Sequence, residues 1–187
     1  GPVDVLVNNA GVARMELELT GDGLERTMAT NHLGHFIITT RLLPRLAETG
    51  GRIINVSSEG HRRGDLRRAS LRDIFRGRID YNGFQAYCDS KLANVLFTRE
   101  LDRRLSERGV TSVALHPGVL STRIWNKDTN WQLLLARLFK PFMGSPEIGG
   151  DAVFRLVAEP RFAALSGVYF KVREKVPAAE QADDEAL

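Results

Sequence analysis

Arg52-Ile53-Ile54-Asn55-Val56-Ser57-Ser58 decides the fold. It is a short, nearly continuous apolar run, rich in β-branched residues, that stops on a pair of serines. A strand with one solvated face alternates apolar and polar residues; a strand buried on both faces of a parallel sheet does not. Val3–Asn9 upstream and Thr111–His116 downstream read the same way, and Ser166–Phe170 adds a fourth run. Helical patterns lie between them. Leu24, Met28, His35, Ile38, Leu42 and Leu46 recur at steps of three, four or seven, and Leu92, Val95, Leu96, Leu101 and Leu105 follow a second helical face. Gly109 supplies a stop for that second helix. Strand, helix, strand, helix, strand predicts an α/β fold, a doubly wound parallel sheet with right-handed crossovers.

Two segments interrupt the alternation. Glu59–Phe84 is rich in glycine and arginine, and Leu120–Ser145 holds both tryptophans, Trp125 and Trp131. Each follows the carboxyl end of a strand, where open α/β sheets bind ligands. The acidic, Ala-rich tail Pro177–Leu187 is expected to be frayed or disordered.

The composition, with 187 residues, 43% hydrophobic and 26% charged, fits one globular domain. A net charge of +3 is too small to imply a polyanion partner. The lone Cys88 excludes an intrachain disulfide and fits a reducing compartment. No apolar stretch approaches the roughly 18 residues of a membrane span, and no signal peptide is visible. The chain enters its first apolar run within two residues of Gly1, so it reads as a piece of a longer sequence. Any targeting or anchoring segment upstream would lie outside it.

The chemistry begins with Tyr87-Cys88-Asp89-Ser90-Lys91. A spacing of four puts Tyr87 and Lys91 on one helical face. A nearby ammonium favours the phenolate, which is expected to bring the phenol down toward the pH at which an acid/base catalyst works best. Alone, the spacing also describes a solvent-facing pair. Ser58 falls at the carboxyl end of its strand, where a serine also serves as a turn or cap residue. Val7-Asn8-Asn9-Ala10-Gly11 ends the first strand in the same way. Asn31 sits inside a helical pattern, a position asparagine disfavours because it competes for backbone hydrogen bonds.

Asn-Asn-Ala-Gly, a helical asparagine, a strand-end serine, Tyr-x-x-x-Lys and His116-Pro117-Gly118 occur in this order. Together they resemble the short-chain dehydrogenase/reductase family over the chain as far as about Phe170. Asn31-His32-Leu33-Gly34-His35-Phe36, the stretch Tyr87–Leu96 and Leu165–Phe170 are similar to its retinol dehydrogenase branch. The resemblance implies a Rossmann-like sheet and the catalytic portion of one domain over residues 1–176, with 177–187 as an acidic tail. It implies Tyr87 as the acid/base, Ser58 orienting the substrate oxygen, and Lys91 on the nicotinamide ribose. Asn31 would support a water that links Lys91 to solvent. Asn8, Ala10 and Gly11 would line the adenosine-ribose side of the cofactor groove, with Pro117 and Gly118 near the nicotinamide. Thr122 would bind its carboxamide or the phosphates. The cofactor would be NAD or NADP, NADP being favoured only by the resemblance.

Two departures stand against the family pattern. The Gly-rich turn that cradles the pyrophosphate is absent from the chain, so the fold is expected to be partial, its first strands missing. Val3–Asn9 would then be an apolar sheet edge, and this chain alone is expected to be marginally stable. The second departure is the insertion after Ser58, where Arg62, Arg63, Arg67, Arg68, Arg72, Arg76 and Arg78 crowd one loop. It reads as a solvated loop or as a contact for anionic headgroups. No aromatic stacking platform accompanies the arginines, which argues against nucleic acid. Trp125–Met143 reads as a lid over an apolar substrate or as a helix packed on the core. Cys88 points away from Tyr87 and is expected to be a small buried apolar residue. The histidines lack metal-ligand spacing, so no metal is expected.

The implied function is oxidoreduction between an alcohol and an aldehyde or ketone on an apolar small molecule. The expected location is the cytoplasm or the endoplasmic reticulum membrane surface, with peripheral membrane contact and a homodimer as further expectations. The rival readings are a non-catalytic truncated form acting through chain pairing and a membrane-surface binding module.

Overall fold

The computed structural model describes residues 1–118 and 146–184. Strands β1 (Val5–Asn8), β2 (Arg52–Val56), β3 (Thr111–His116) and β4 (Val168–Lys171) lie side by side in chain order and run parallel. A fifth, β5 (Glu174–Val176), folds back antiparallel on β4. One row of the sheet reads Asn8, Asn55, Ala114, Tyr169, so the carboxyl ends of all four parallel strands open on the same side.

The continuous apolar runs have the expected cause. Ile53 packs with Leu46, Phe97, Leu101, Leu105 and Val110 on one face of the sheet. Ile54, its neighbour, packs with Val113, Leu115, Leu156, Phe162 and Phe170 on the other. Both faces of β2 are covered, and every residue of β2 is buried. The first face is covered by α2 (Gly34–Ala47) and α4 (Gly83–Leu105), and the second by α5 (Pro146–Ala158).

The helical pattern from Leu24 to Leu46 is one nearly continuous rod with a defect. A short α1 (Arg26–Met28) leads into a π-helical turn, Ala29–Leu33, and then into α2. Asn31 sits in that π turn, and such local widenings collect at functional sites. The α4 helix starts at Asn82, whose side chain accepts from the Gln85 amide at 2.9 Å. It ends through a 3-10 turn at Gly109, whose φ of 71° is the left-handed value the sequence stop required.

At the edge of the sheet, β1 leaves Val7 37% exposed, and α2 beside it leaves Phe36, Ile37 and Ile38 exposed. Among the described residues no helix is long and apolar enough to cross a membrane. The expected segment Leu120–Ser145, with Thr122 and the Trp125–Met143 stretch, lies outside the described residues.

One expectation is overturned. The acidic tail is not frayed as far as Asp184: Glu180–Asp183 form a 3-10 turn, and Ala179 and Ala182 are buried. The arginine-rich insertion and α4 both meet this segment. Arg62 donates to the Pro177 carbonyl at 2.6 Å, Arg67 pairs with Asp184, and Arg99 from α4 pairs with Asp183. Gln181 donates to the Gly64 carbonyl at 3.0 Å. The insertion itself is anchored by buried Leu66 and by Ile74 of α3 (Leu71–Phe75).

Candidate active site

Tyr87 and Lys91 lie one turn apart on α4, 7% and 2% exposed. Ser57 and Ser58 leave the carboxyl end of β2 directly opposite. The backbone of Ser58 is extended (φ −161°, ψ 159°), and its Oγ accepts from the Gly60 amide at 3.1 Å, capping the 3-10 turn Glu59–Arg63. The same hydroxyl hydrogen-bonds the Tyr87 side chain. The cap and the hydrogen bond to Tyr87 therefore coexist in one residue. The turn is seated tightly: a Cβ on Gly60 would lie 3.3 Å from the Tyr87 ring and 3.5 Å from the Ser58 Oγ.

The Lys91 Nζ donates to the Val56 carbonyl at 3.1 Å, and Ser57 donates its hydroxyl to the Lys91 carbonyl at 2.8 Å. Complete burial brings the ammonium down to about 8. The ammonium lies 5.7 Å from the centre of the Tyr87 ring. The phenol nevertheless moves opposite to the sequence expectation. Burial raises its pKa, the Ser58 hydrogen bond opposes this, and Cys88 adds a further upward push. Desolvation of the phenolate is the largest of these effects and sets the direction.

Asn31 is fully buried and works as a brace. Its Oδ1 accepts from the Val12 amide at 2.8 Å, while its Nδ2 donates to the Val12 carbonyl at 2.9 Å and to the Ser90 Oγ at 3.0 Å. It thereby ties the loop after β1 to α4. Its own carbonyl accepts from Asn94 at 2.9 Å, and Asn94 also donates, at 3.3 Å, to the Val56 carbonyl that Lys91 holds. Asn94 was not singled out from the sequence. Its place three residues past Lys91, on the same helical face, was the available signal.

The residues carried over for the cofactor divide. Asn8 is buried, and its amide is spent inside, donating to Thr39 Oγ1 at 2.9 Å and to Asn55 Oδ1 at 2.7 Å. That side chain braces β1 against β2 and α2 rather than lining a groove. Ala10 is exposed and Gly11 partly so, at the carboxyl end of β1. Pro117 and Gly118 follow β3 and are partly exposed, Gly118 at a φ of 100° that favours glycine. Cys88 is buried as expected, its thiol pushed up to about 11 by burial.

The site therefore brings Ser58, Tyr87 and Lys91 together, with Asn31 behind them, at the carboxyl edge of a parallel sheet. A family model described as short chain dehydrogenase matches residues 1–69 and 75–133. Retinol dehydrogenase 13 of Homo sapiens is 42% identical over 98% of this chain and 56% of its own length. The chain spans about half the length of the curated relatives it matches. Among solved structures, an uncharacterized protein from Mycobacterium Paratuberculosis superposes with a TM-score of 0.71 at 30% identity, over 99% of this chain and 62% of that one. An angucycline C-6 ketoreductase with bound NADP superposes with a TM-score of 0.65 at 26% identity, over 91% of this chain and 61% of that one. On the motif order, the parallel sheet and these matches, the chain belongs to the short chain dehydrogenase family.

Proposed function

We propose that the protein carrying this chain is an NAD(P)-dependent oxidoreductase that interconverts an alcohol and a carbonyl on an apolar, retinoid- or lipid-like substrate. The observation that carries the reading is the Ser58 hydroxyl on the Tyr87 phenol, with the Lys91 ammonium 5.7 Å from the ring. Lys91 fits the ribose next to the nicotinamide of a dinucleotide. Among the described residues the Lys91 ammonium has one hydrogen-bond acceptor, Val56, which leaves N–H donors for the hydroxyls of a ribose. The dinucleotide, when bound, supplies or takes up the hydride. The chain handles the proton: Ser58 hydrogen-bonds the substrate oxygen, and Tyr87 gives or takes its proton beside it. Such a positioned acid/base is worth roughly 10²–10⁴-fold in rate. A relative named retinol dehydrogenase and a ketoreductase with bound NADP support the substrate class and the cofactor.

The deciding experiment uses the full-length protein with NADPH and retinal. Tyr87→Phe should abolish nearly all turnover while NADPH still binds; unchanged turnover ends the reading.

A second reading, chain pairing without catalysis, is supported by the exposure of Val7 on the edge strand β1 and of Phe36, Ile37 and Ile38 on α2. It predicts concentration-dependent association of the 187-residue chain and no response to NADPH titration. Contact of the arginine loop with a membrane has less support, since Arg62, Arg67 and Arg68 are engaged with the tail and with Asp89.

A further inference from the structure

His61 lies three residues past Ser58 on the turn Glu59–Arg63 and is fully buried. Its backbone N–H donates to the Ser58 carbonyl at 3.0 Å, and its ring Nδ1 meets the same oxygen at 2.6 Å. On the far side of the ring, Nε2 meets the backbone N–H of Ala179, 118 residues later, at 2.9 Å. A backbone amide can only donate, so this nitrogen is an acceptor and carries no proton. The ring proton therefore sits on Nδ1, which donates to Ser58. Burial lowers the His61 pKa and keeps the ring neutral, as that arrangement requires.

The ring is held from a third direction. It stands against Tyr169 with centroids 4.5 Å apart, and the Tyr169 hydroxyl donates to Glu59 at 2.9 Å. Ser58 is followed directly by Glu59, so the turn is tied at both ends to β4 and to the tail. The two His61 donors fix the peptide plane from which the Ser58 side chain departs. The Ser58 Oγ then has two neighbours, the Gly60 amide and the Tyr87 phenol.

We propose that His61 is a positioning residue: its Nδ1–H holds the Ser58 carbonyl and thereby aims the Ser58 hydroxyl at Tyr87. This rests on the oxidoreductase reading above. The segment Pro177–Ala179 completes the arrangement, because the Ala179 amide selects the tautomer that donates. Ser57 has no such partner role: its hydroxyl is committed to the Lys91 carbonyl.

Two substitutions separate the two ends of the ring. Asparagine places an amide donor where Nδ1–H stands but does not reach Ala179. Glutamine reaches the position of Nε2 and can accept from Ala179, but it offers nothing to Ser58. In the full-length protein with NADPH and retinal, His61→Gln should lower kcat by about tenfold or more, with KM and the Kd for NADPH within about twofold of wild type. His61→Asn should keep kcat within about threefold. Equal losses in both variants, or no loss in either, would overturn the proposal. Tyr87→Phe in the same assay keeps the two readings apart. If it turns over normally, the oxidoreductase reading has failed; if it is dead while His61→Gln is normal, only the positioning role has failed. A measurement on the unmodified protein needs no variant to fold. Nitrogen-15 spectra of the His61 ring should show the Nδ1–H tautomer, and an Nε2–H tautomer would equally overturn it.

Discussion

The Lys91 ammonium lies 5.7 Å from the centre of the Tyr87 ring, yet its hydrogen bond goes to the Val56 carbonyl. The two groups are neighbours on one helix face, and burial drives them in opposite directions: the ammonium down to about 8, the phenol upward. Each shift disfavours the charged form, as desolvation must.

A pH dependence of stability follows for Lys91. Its folded pKa is about 8 against an ordinary 10.5. Between these values the unfolded chain holds the proton and the folded chain does not, so stability rises with pH across that window. Below about 8 both states are protonated, and the full cost of burying the charge remains. Urea unfolding at intervals from pH 7.5 to 10 should therefore show a rise in wild type that is absent in Lys91→Met. A parallel slope in both proteins would show that Lys91 is not the source.

Gly83 opens α4, where alanine would ordinarily be favoured by about 0.5–1 kcal/mol. Here a Cβ would lie 2.2 Å from the Arg14 carbonyl oxygen and 2.5 Å from the Met15 Cα. Both are backbone atoms and cannot swing aside. Gly83→Ala should thus destabilise, by about 1–3 kcal/mol or more, as read by denaturant midpoint. A stabilised variant would mean that the loop before α1 does not press on the helix start.

How far the sequence reveals this molecule depends on the range of each interaction. The covered strands were legible because Ile53 and Ile54 must bury opposite faces, and that leaves a run without alternation. Tyr87 and Lys91 were legible because a helix brings residues four apart together. The π turn was not: the same apolar spacing fits an α-helix, and the partner that Asn31 holds by two hydrogen bonds, Val12, lies 19 residues away. The order in the tail was hidden for a similar reason. Alanines and carboxylates read as disordered until Arg67 and Arg99 are placed opposite Asp184 and Asp183. The phenol's upward shift needed a burial value that spacing does not contain.

Asp89, two residues past Tyr87, is a buried carboxylate with three sets of donors. Arg68 grips it at 2.6 and 3.1 Å, and the Asp65 amide and Gln85 each donate at 2.8 Å. This cluster pins the arginine-rich insertion to α4. Arg68→Ala removes the cation from a fully buried partner, which costs about 3–5 kcal/mol when nothing else compensates. The remaining donors place the expected loss at the lower end, about 3 kcal/mol, seen as a lower melting temperature. Asp89→Asn combined with Arg68→Ala should recover part of that loss, because no unpaired charge is left inside. Failure to recover any would assign the loss to packing of the arginine stem.

The tail offers a choice between charge and burial as the source of its order. The ion pairs are exposed: the Arg67 and Asp184 side chains are 56% and 22% exposed, and those of Arg99 and Asp183 are 31% and 67% exposed. Pairs of this kind contribute about 0–1 kcal/mol each and are screened by salt. Ala179 and Ala182 are buried, Ala178 packs on the cluster around Leu66 and Tyr169, and the Ala179 amide satisfies His61. Burial and the hydrogen bond therefore outweigh the charges. Ending the chain after Val176 should cost about 2–3 kcal/mol, with little dependence on salt between low and high ionic strength. Replacing both Asp183 and Asp184 with Asn should cost under about 1 kcal/mol, and that small loss should vanish in high salt. If instead the double substitution destabilises as much as the truncation, the tail is held by its charges and the apolar contacts follow from them.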